Sequence, residues 1–242
     1  MAWTDWNELV DKANIFETTK KGSRPAGIVR PTHIVVHITG STNFDSIKNT
    51  YLTDQRSAHY VVKQDGTLAQ FVRDSDAAWH AGIEASSIAI YNRGAGVWQH
   101  YLRYLPDMKY PHDAVYVDDN LHPVAGPAAA SYVAQADGTP WPKYGFFITR
   151  WGAGAQPVNF AHSTAPNAYS IGIENMSMGS AMPSAAVYPD AMYQKLHTLI
   201  GNLCAKYAIP RDRNHIVGHE DVNPIKRWGW DPNQGFDWAR VI

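Results

Sequence analysis

His33-Ile34-Val35-Val36-His37-Ile38 is dense in β-branched side chains and is bounded by Pro31 and Gly40. Branched side chains fit a pleated surface and crowd a helix, so the run reads as a short buried strand. Its two histidines invite a metal reading, which strand geometry limits. At about 3.3 Å per residue, four steps place them roughly 13 Å apart. A zinc ion needs ligand nitrogens at ~2.0–2.1 Å, so a regular strand cannot offer both. One of the pair is spare.

Outward from this strand, Asn43 to Leu52 suits a helix. His59 to Lys63 and Leu68 to Val72 flank Asp65-Gly66 and read as a hairpin. Upstream, the chain through Lys20-Lys21-Gly22-Ser23 is polar and is expected to be mobile. Ser170-Ile171-Gly172-Ile173-Glu174 is a further strand. The clearest helix carries Met192, Leu196, Leu199, Ile200, Leu203 and Tyr207 as one apolar stripe, with His197 off the stripe. Pro189 and Asp190 suit its start, Lys206 its last turn, and Pro210 its stop. Between Ile83 and Ala168 neither period persists, and proline, glycine and aromatics are frequent. A structureless loop of that length is uncommon in a compact domain, so a folded, loop-rich insertion is expected. The fold class is therefore α/β: a central mixed β-sheet flanked by helices, in a single domain over residues 1–242 that includes an insertion at about 83–168.

Composition narrows the function. The chain has 242 residues, 45% of them hydrophobic, and a formal net charge of −1. A chain this long buries roughly 70–75% of its unfolded surface and needs no disulfide. Cys204, the single cysteine, has no partner within the chain and reads as a small buried apolar residue. No run of like charges offers a footprint for nucleic acid or an anionic membrane. No apolar stretch approaches the ~20 residues that span a bilayer. Met1 to Trp6 lacks the basic start and apolar run of a secretory signal, so the expectation is synthesis in the cytoplasm and action on the cell wall or periplasm after release or injection.

Near the C-terminus, Gly218 and Pro224 bracket a turn-rich stretch that presents His219, and Asp231-Pro232 begins another turn. Loops of this kind project functional groups from a rigid scaffold. Each candidate has a plain reading when taken alone. His37 could be a hydrogen-bonded core histidine, Glu174 a strand-end carboxylate and Asp231 a helix cap. Five segments taken in order outweigh those readings. They are Ile34-Val35-Val36-His37, Ser57-Ala58-His59-Tyr60-Val61-Val62, Ala78-Trp79-His80-Ala81-Gly82, Ser170-Ile171-Gly172-Ile173-Glu174, and His219 through Asp231-Pro232 to Phe236-Asp237-Trp238. In these segments the chain resembles the zinc-dependent N-acetylmuramoyl-L-alanine amidases, the amidase type 2 family with the peptidoglycan recognition protein fold. The resemblance spans residues 31–82 and 169–238, about half the chain.

The resemblance implies one zinc ion held by His37, His219 and Asp231, with Glu174 as acid/base. It also implies hydrolysis of the N-acetylmuramic acid–L-alanine amide of peptidoglycan or a soluble muropeptide. Two imidazoles and a carboxylate leave a fourth zinc position open, as catalytic sites require. Zinc lowers the pKa of water from 15.7 to about 7. Trp79 and His80 are expected to line the substrate groove, while His59 reads as structural.

Two departures stand out. Relatives of the AmpD-like type place a lysine two residues before the aspartate, where this chain has Gly229. Arg227, with Lys226 as the alternative, is expected to supply that cation for the oxyanion. Ala58 and Asp231 place the chain nearer the AmpD-like branch than branches with tyrosine and cysteine there. The insertion aromatics Trp98, Tyr101, Tyr104, Tyr110, Trp141 and Tyr144 suit either stacking on sugar or the insertion's own core. A second function class is a peptidoglycan-binding receptor of the same fold without catalysis. A zinc peptidase is a third, disfavoured because no His-Glu-x-x-His helix is present. A phage lysin, an injected antibacterial effector and a recycling enzyme all fit the resemblance. A delivery or immunity partner is not identified by the sequence.

Overall fold

The computed structural model describes residues 6–28, 30–91, 114–117, 132–134, 140–142, 145–148, 165–178, 187–227, 231–233 and 235–242. For residues 86, 90, 91, 225 and 226 and those between 114 and 148 it describes the backbone only. In chain order the strands are β1 (Lys21–Ser23), β2 (His33–Ile38), β3 (Tyr60–Val62), β4 (Leu68–Gln70), β5 (Asp76–Ala78), β6 (Ala114–Val117), β7 (Tyr132–Ala134), β8 (Pro140–Pro142), β9 (Gly145–Ile148), β10 (Ser170–Asn175) and β11 (Ile216–Gly218). The α-helices are α1 (Phe44–Thr53), α2 (Ala85–Tyr91), α3 (Asp190–Tyr207), α4 (His219–Val222) and α5 (Pro224–Arg227).

The main sheet has the order β11-β2-β10-β3-β4. β11, β2, β10 and β3 run parallel, and β4 closes the edge antiparallel to β3, so the sheet is mixed as the sequence predicts. All six residues of β2 are buried, as expected for a strand covered on both faces. Alternation then divides the chemistry. Ile34, Val36, Ile171 and Ile173 join Met192, Leu196, Leu199, Ile200 and Leu203 of α3 in the main core. The other face is thinner, with a small cluster of Val35, Ala81, Val217 and Val222. His37 of β2 and Glu174 of β10 fall on this thinner face by the same alternation.

The helices follow their local signals. Asn43 caps α1, its Oδ1 accepting from the Ser46 amide at 3.0 Å. Every residue of the predicted α3 stripe is buried, and His197 is exposed. Its end comes before Pro210: Ala208 turns left-handed at φ 53°, its N–H bonding the Cys204 carbonyl.

The expectation of a mobile N-terminal stretch is corrected for residues 6–28. β1 pairs with β5, and Phe16 and Thr18 donate backbone N–H groups to Gln70 and Phe71. Phe16 also packs against Phe44 and Phe71. Arg24 bonds the carbonyls of Asp74, Asn167, Ala168 and Ser170. These contacts are all long-range, so no local periodicity announces them. His33 is the spare histidine, stacked on His215 with ring centroids 5.4 Å apart. Within the insertion, β6 pairs with β9 and β7 with β8, both antiparallel. The side chains of its six named aromatics lie outside the described residues.

Candidate metal centre

His37, His219 and Asp231 converge from three separate places in the chain. Their ligand-type atoms lie within 4.8 Å of one another, and all three residues are buried. His37 comes from the C-terminal half of β2. His219 opens α4 directly after β11, the strand paired beside β2. Asp231 is brought in by a turn that packs on Gly218. A Cβ at Gly218 would lie 2.7 Å from the Pro232 ring, so the close approach needs glycine there. The Asp231 carbonyl accepts the Glu220 amide at 2.8 Å, and its Oδ1 accepts the Ile38 amide at 3.1 Å. Its carboxylate then faces Nδ1 of His219 at 2.9 Å and Nδ1 of His37 at 3.5 Å. Burial opposes ionisation of Asp231, yet the facing His37 and His219 hold its carboxyl well below the usual carboxylate range.

Glu174 sits beside this cluster as the register partner of His37 across the β10–β2 pair. Burial pushes its carboxyl up to about 7; the His37 charge opposes this, the Asp231 charge adds to it, and a hydrogen bond from Tyr51 opposes it. Tyr51, from the buried face of α1, is a functional neighbour that sequence reasoning missed. It falls in a stretch read only as a helix, and nothing local says that its hydroxyl acts on a carboxylate so far along the chain. Ser170 and Asn167 likewise carry no local sign of the contacts that their side chains make.

The donor chemistry fits a cation. Two imidazoles and an ionised carboxylate are a zinc-type set. His219 Nε2 and Glu174 Oε2 are buried without a hydrogen-bond partner among the described residues. Buried polar atoms are normally paired, so these two mark a place built for something further.

A pocket of about 650 Å³ opens over the cluster. That size suits a small-molecule or oligomer-fragment site. Its lining includes Tyr51, Arg56, Trp79, His80, Glu84 and Arg227. The predicted groove residues Trp79 and His80 both line it, and Trp79 is 37% exposed. Arg227, half-buried on α5, lines it too and pairs with Glu84 at 3.8 Å. The Lys226 side chain and Gly229 lie outside the described residues, so of the two predicted cations only Arg227 is located. His59 is fully buried behind His80, with ring centroids 5.7 Å apart, and bonds backbone at both ring nitrogens.

No curated protein matches the chain. The crystal structure of a selenomethionine AmpD derivative is similar, with a TM-score of 0.50 and 20% identity over 100% of this chain and 97% of that one. Also similar is AmiD from E. coli in complex with anhydro-N-acetylmuramic acid-L-Ala-D-gamma-Glu-L-Lys, with a TM-score of 0.48 and 21% identity over 90% of this chain and 59% of that one. The first of these shows a shared α/β fold. The family profile described as N-acetylmuramoyl-L-alanine amidase matches residues 28–115 and 112–234, which contain every residue of the cluster. The chain belongs to the N-acetylmuramoyl-L-alanine amidase family.

Proposed function

We propose that this protein is a zinc-dependent hydrolase that cleaves the amide between N-acetylmuramic acid and L-alanine in peptidoglycan. The observation that carries the reading is the convergence of His37, His219 and Asp231 within 4.8 Å, beside Glu174 and under an open pocket. A zinc ion held by those three residues would supply Lewis acidity toward water and the scissile carbonyl.

The chain's own residues supply the rest. Glu174 takes the proton of the attacking water and returns it to the departing alanine nitrogen. In the metal-free site burial raises its pKa above the ordinary carboxylate value, so it holds a proton more readily than an exposed glutamate. Arg227 faces the pocket as a fixed positive charge and stabilises the oxyanion. Trp79 offers an exposed aromatic face on the rim for the sugar or stem peptide. In this reading residues 1–242 form one amidase unit, with the stretch at about 83–168 as its insertion.

Digestion of purified sacculi tests the proposal. The expected products carry free muramyl lactyl groups and new alanine N-termini in equal amounts. Release should cease with a chelator and return with zinc. Products cut within the glycan or within the stem peptide would overturn the assignment.

A further inference from the structure

The hydrogen bonds behind His37 form a chain with only one allowed direction. Ser170 Oγ lies 2.6 Å from the Pro166 carbonyl oxygen, an atom that can only accept. The single hydroxyl proton of Ser170 is therefore spent on Pro166. Ser170 Oγ also lies 3.2 Å from Nε2 of His80, so it must accept there, and the proton belongs to His80 Nε2. That leaves His80 Nδ1 bare. It sits 3.0 Å from Nε2 of His37 and accepts from it. With its Nε2 proton fixed in this way, neutral His37 has a bare Nδ1, the nitrogen turned toward Asp231.

The geometry points to His80 and Ser170 as positioning residues that set the tautomer and ring orientation of His37 for metal ligation. The proposal rests on the zinc reading above and adds the residues that prepare one ligand before the ion arrives. The platform beneath them is rigid. Asn167 Oδ1 accepts the backbone amides of both His80 and Ala81, at 3.2 and 2.7 Å. The His80 ring lies against the β10 backbone so closely that a Cβ on Gly172 would come within 2.4 Å of it. Ser170 is fully buried, so water does not compete for its hydroxyl. A ring fixed from behind offers its lone pair without first losing freedom, which is how outer partners raise metal affinity.

Two measurements on the full chain test this, and the first is independent of the zinc reading. The first is the histidine tautomers read from 15N shifts in the metal-free protein at pH 8. His80 is expected as the Nε2–H form; a proton on its Nδ1 overturns the relay. The second is zinc affinity by competition with a chromophoric chelator. Ser170→Ala should weaken zinc binding by about 10–100-fold and let His80 populate the Nδ1–H form. His80→Phe, which removes the acceptor for His37, should weaken it at least as much. Affinity unchanged in both variants overturns the proposal. A wild-type protein that takes no zinc defeats the hydrolase reading instead, and the His80 tautomer still judges the relay.

Discussion

Glu174 stands directly opposite His37, the two residues paired in register on adjacent parallel strands and directed to the same face of the sheet. Strands in a sheet lie about 4.8 Å apart, so backbone hydrogen bonding rather than a loop sets the spacing between the proposed base and a proposed metal ligand. Because Glu174 is outside the ligand set, its loss should separate catalysis from metal binding. Glu174→Gln is expected to lower kcat by about 10²–10⁴-fold while zinc content stays stoichiometric. Parallel kinetics and metal analysis check this, and a kcat near wild type would remove Glu174 from the chemistry.

Arg227, which follows Lys226 on α5, lines the pocket. A guanidinium keeps its charge at all working pH values and donates in a fork, so it suits a developing oxyanion. Arg227→Ala should reduce kcat by about 10²-fold with little change in KM. Lys226→Ala should stay within about threefold on the same scale. Steady-state kinetics on the two variants decide between them; equal small effects would mean that neither cation faces the transition state.

The sequence announces those parts of the fold that are locally encoded. β2, α3 and the β3–β4 hairpin each carry a period or a turn signal within a few residues, and each forms where that signal lies. His37, His219, Asp231 and Glu174 are legible only through their order in a family pattern, since nothing in a 193-residue separation says that the Ile38 amide will meet Asp231. Contacts made by side-chain ends stay hidden. Ser170 reads as the polar start of a strand, although its hydroxyl bonds both Pro166 and His80. The N-terminal segment reads as mobile because the contacts that hold it, such as Arg24 on four carbonyls, come from distant residues.

His59 predicts how stability responds to acid. Its Nδ1 accepts the Gly172 amide at 3.0 Å, so the other nitrogen carries the proton and reaches the Asp76 carbonyl at 3.0 Å. Burial, reinforced by the Arg24 charge, holds its pKa well below the ordinary histidine value. In the unfolded chain it titrates near about 6.5. The stability gained by keeping it neutral is thus complete above about pH 6.5 and declines below it, by up to about 1.4 kcal/mol per pH unit for one proton. Urea unfolding of the metal-free protein between pH 7.5 and 5 should show this slope, and His59→Gln should remove about one proton's worth of it. Parallel curves for the two proteins would count against a neutral His59.

Tyr51 gives the sharpest pH prediction for catalysis. It is buried in α1, packs edge-on against Phe71 at 5.2 Å, and directs its hydroxyl to Glu174. A donor to a carboxylate favours the ionised form, so this bond lowers the Glu174 pKa against the larger effect of burial. Tyr51→Phe keeps the ring and its packing and deletes only the donor. Glu174 should then hold its proton to higher pH, and the acid limb of kcat/KM should move upward. Bound zinc shifts the absolute position of that limb, but not the direction of the difference between the two proteins. At pH 6 the variant should lose several-fold in kcat/KM, with most of the loss regained by pH 8.5. A uniform loss across the whole range would assign Tyr51 to packing, and a downward shift would contradict the hydrogen bond itself.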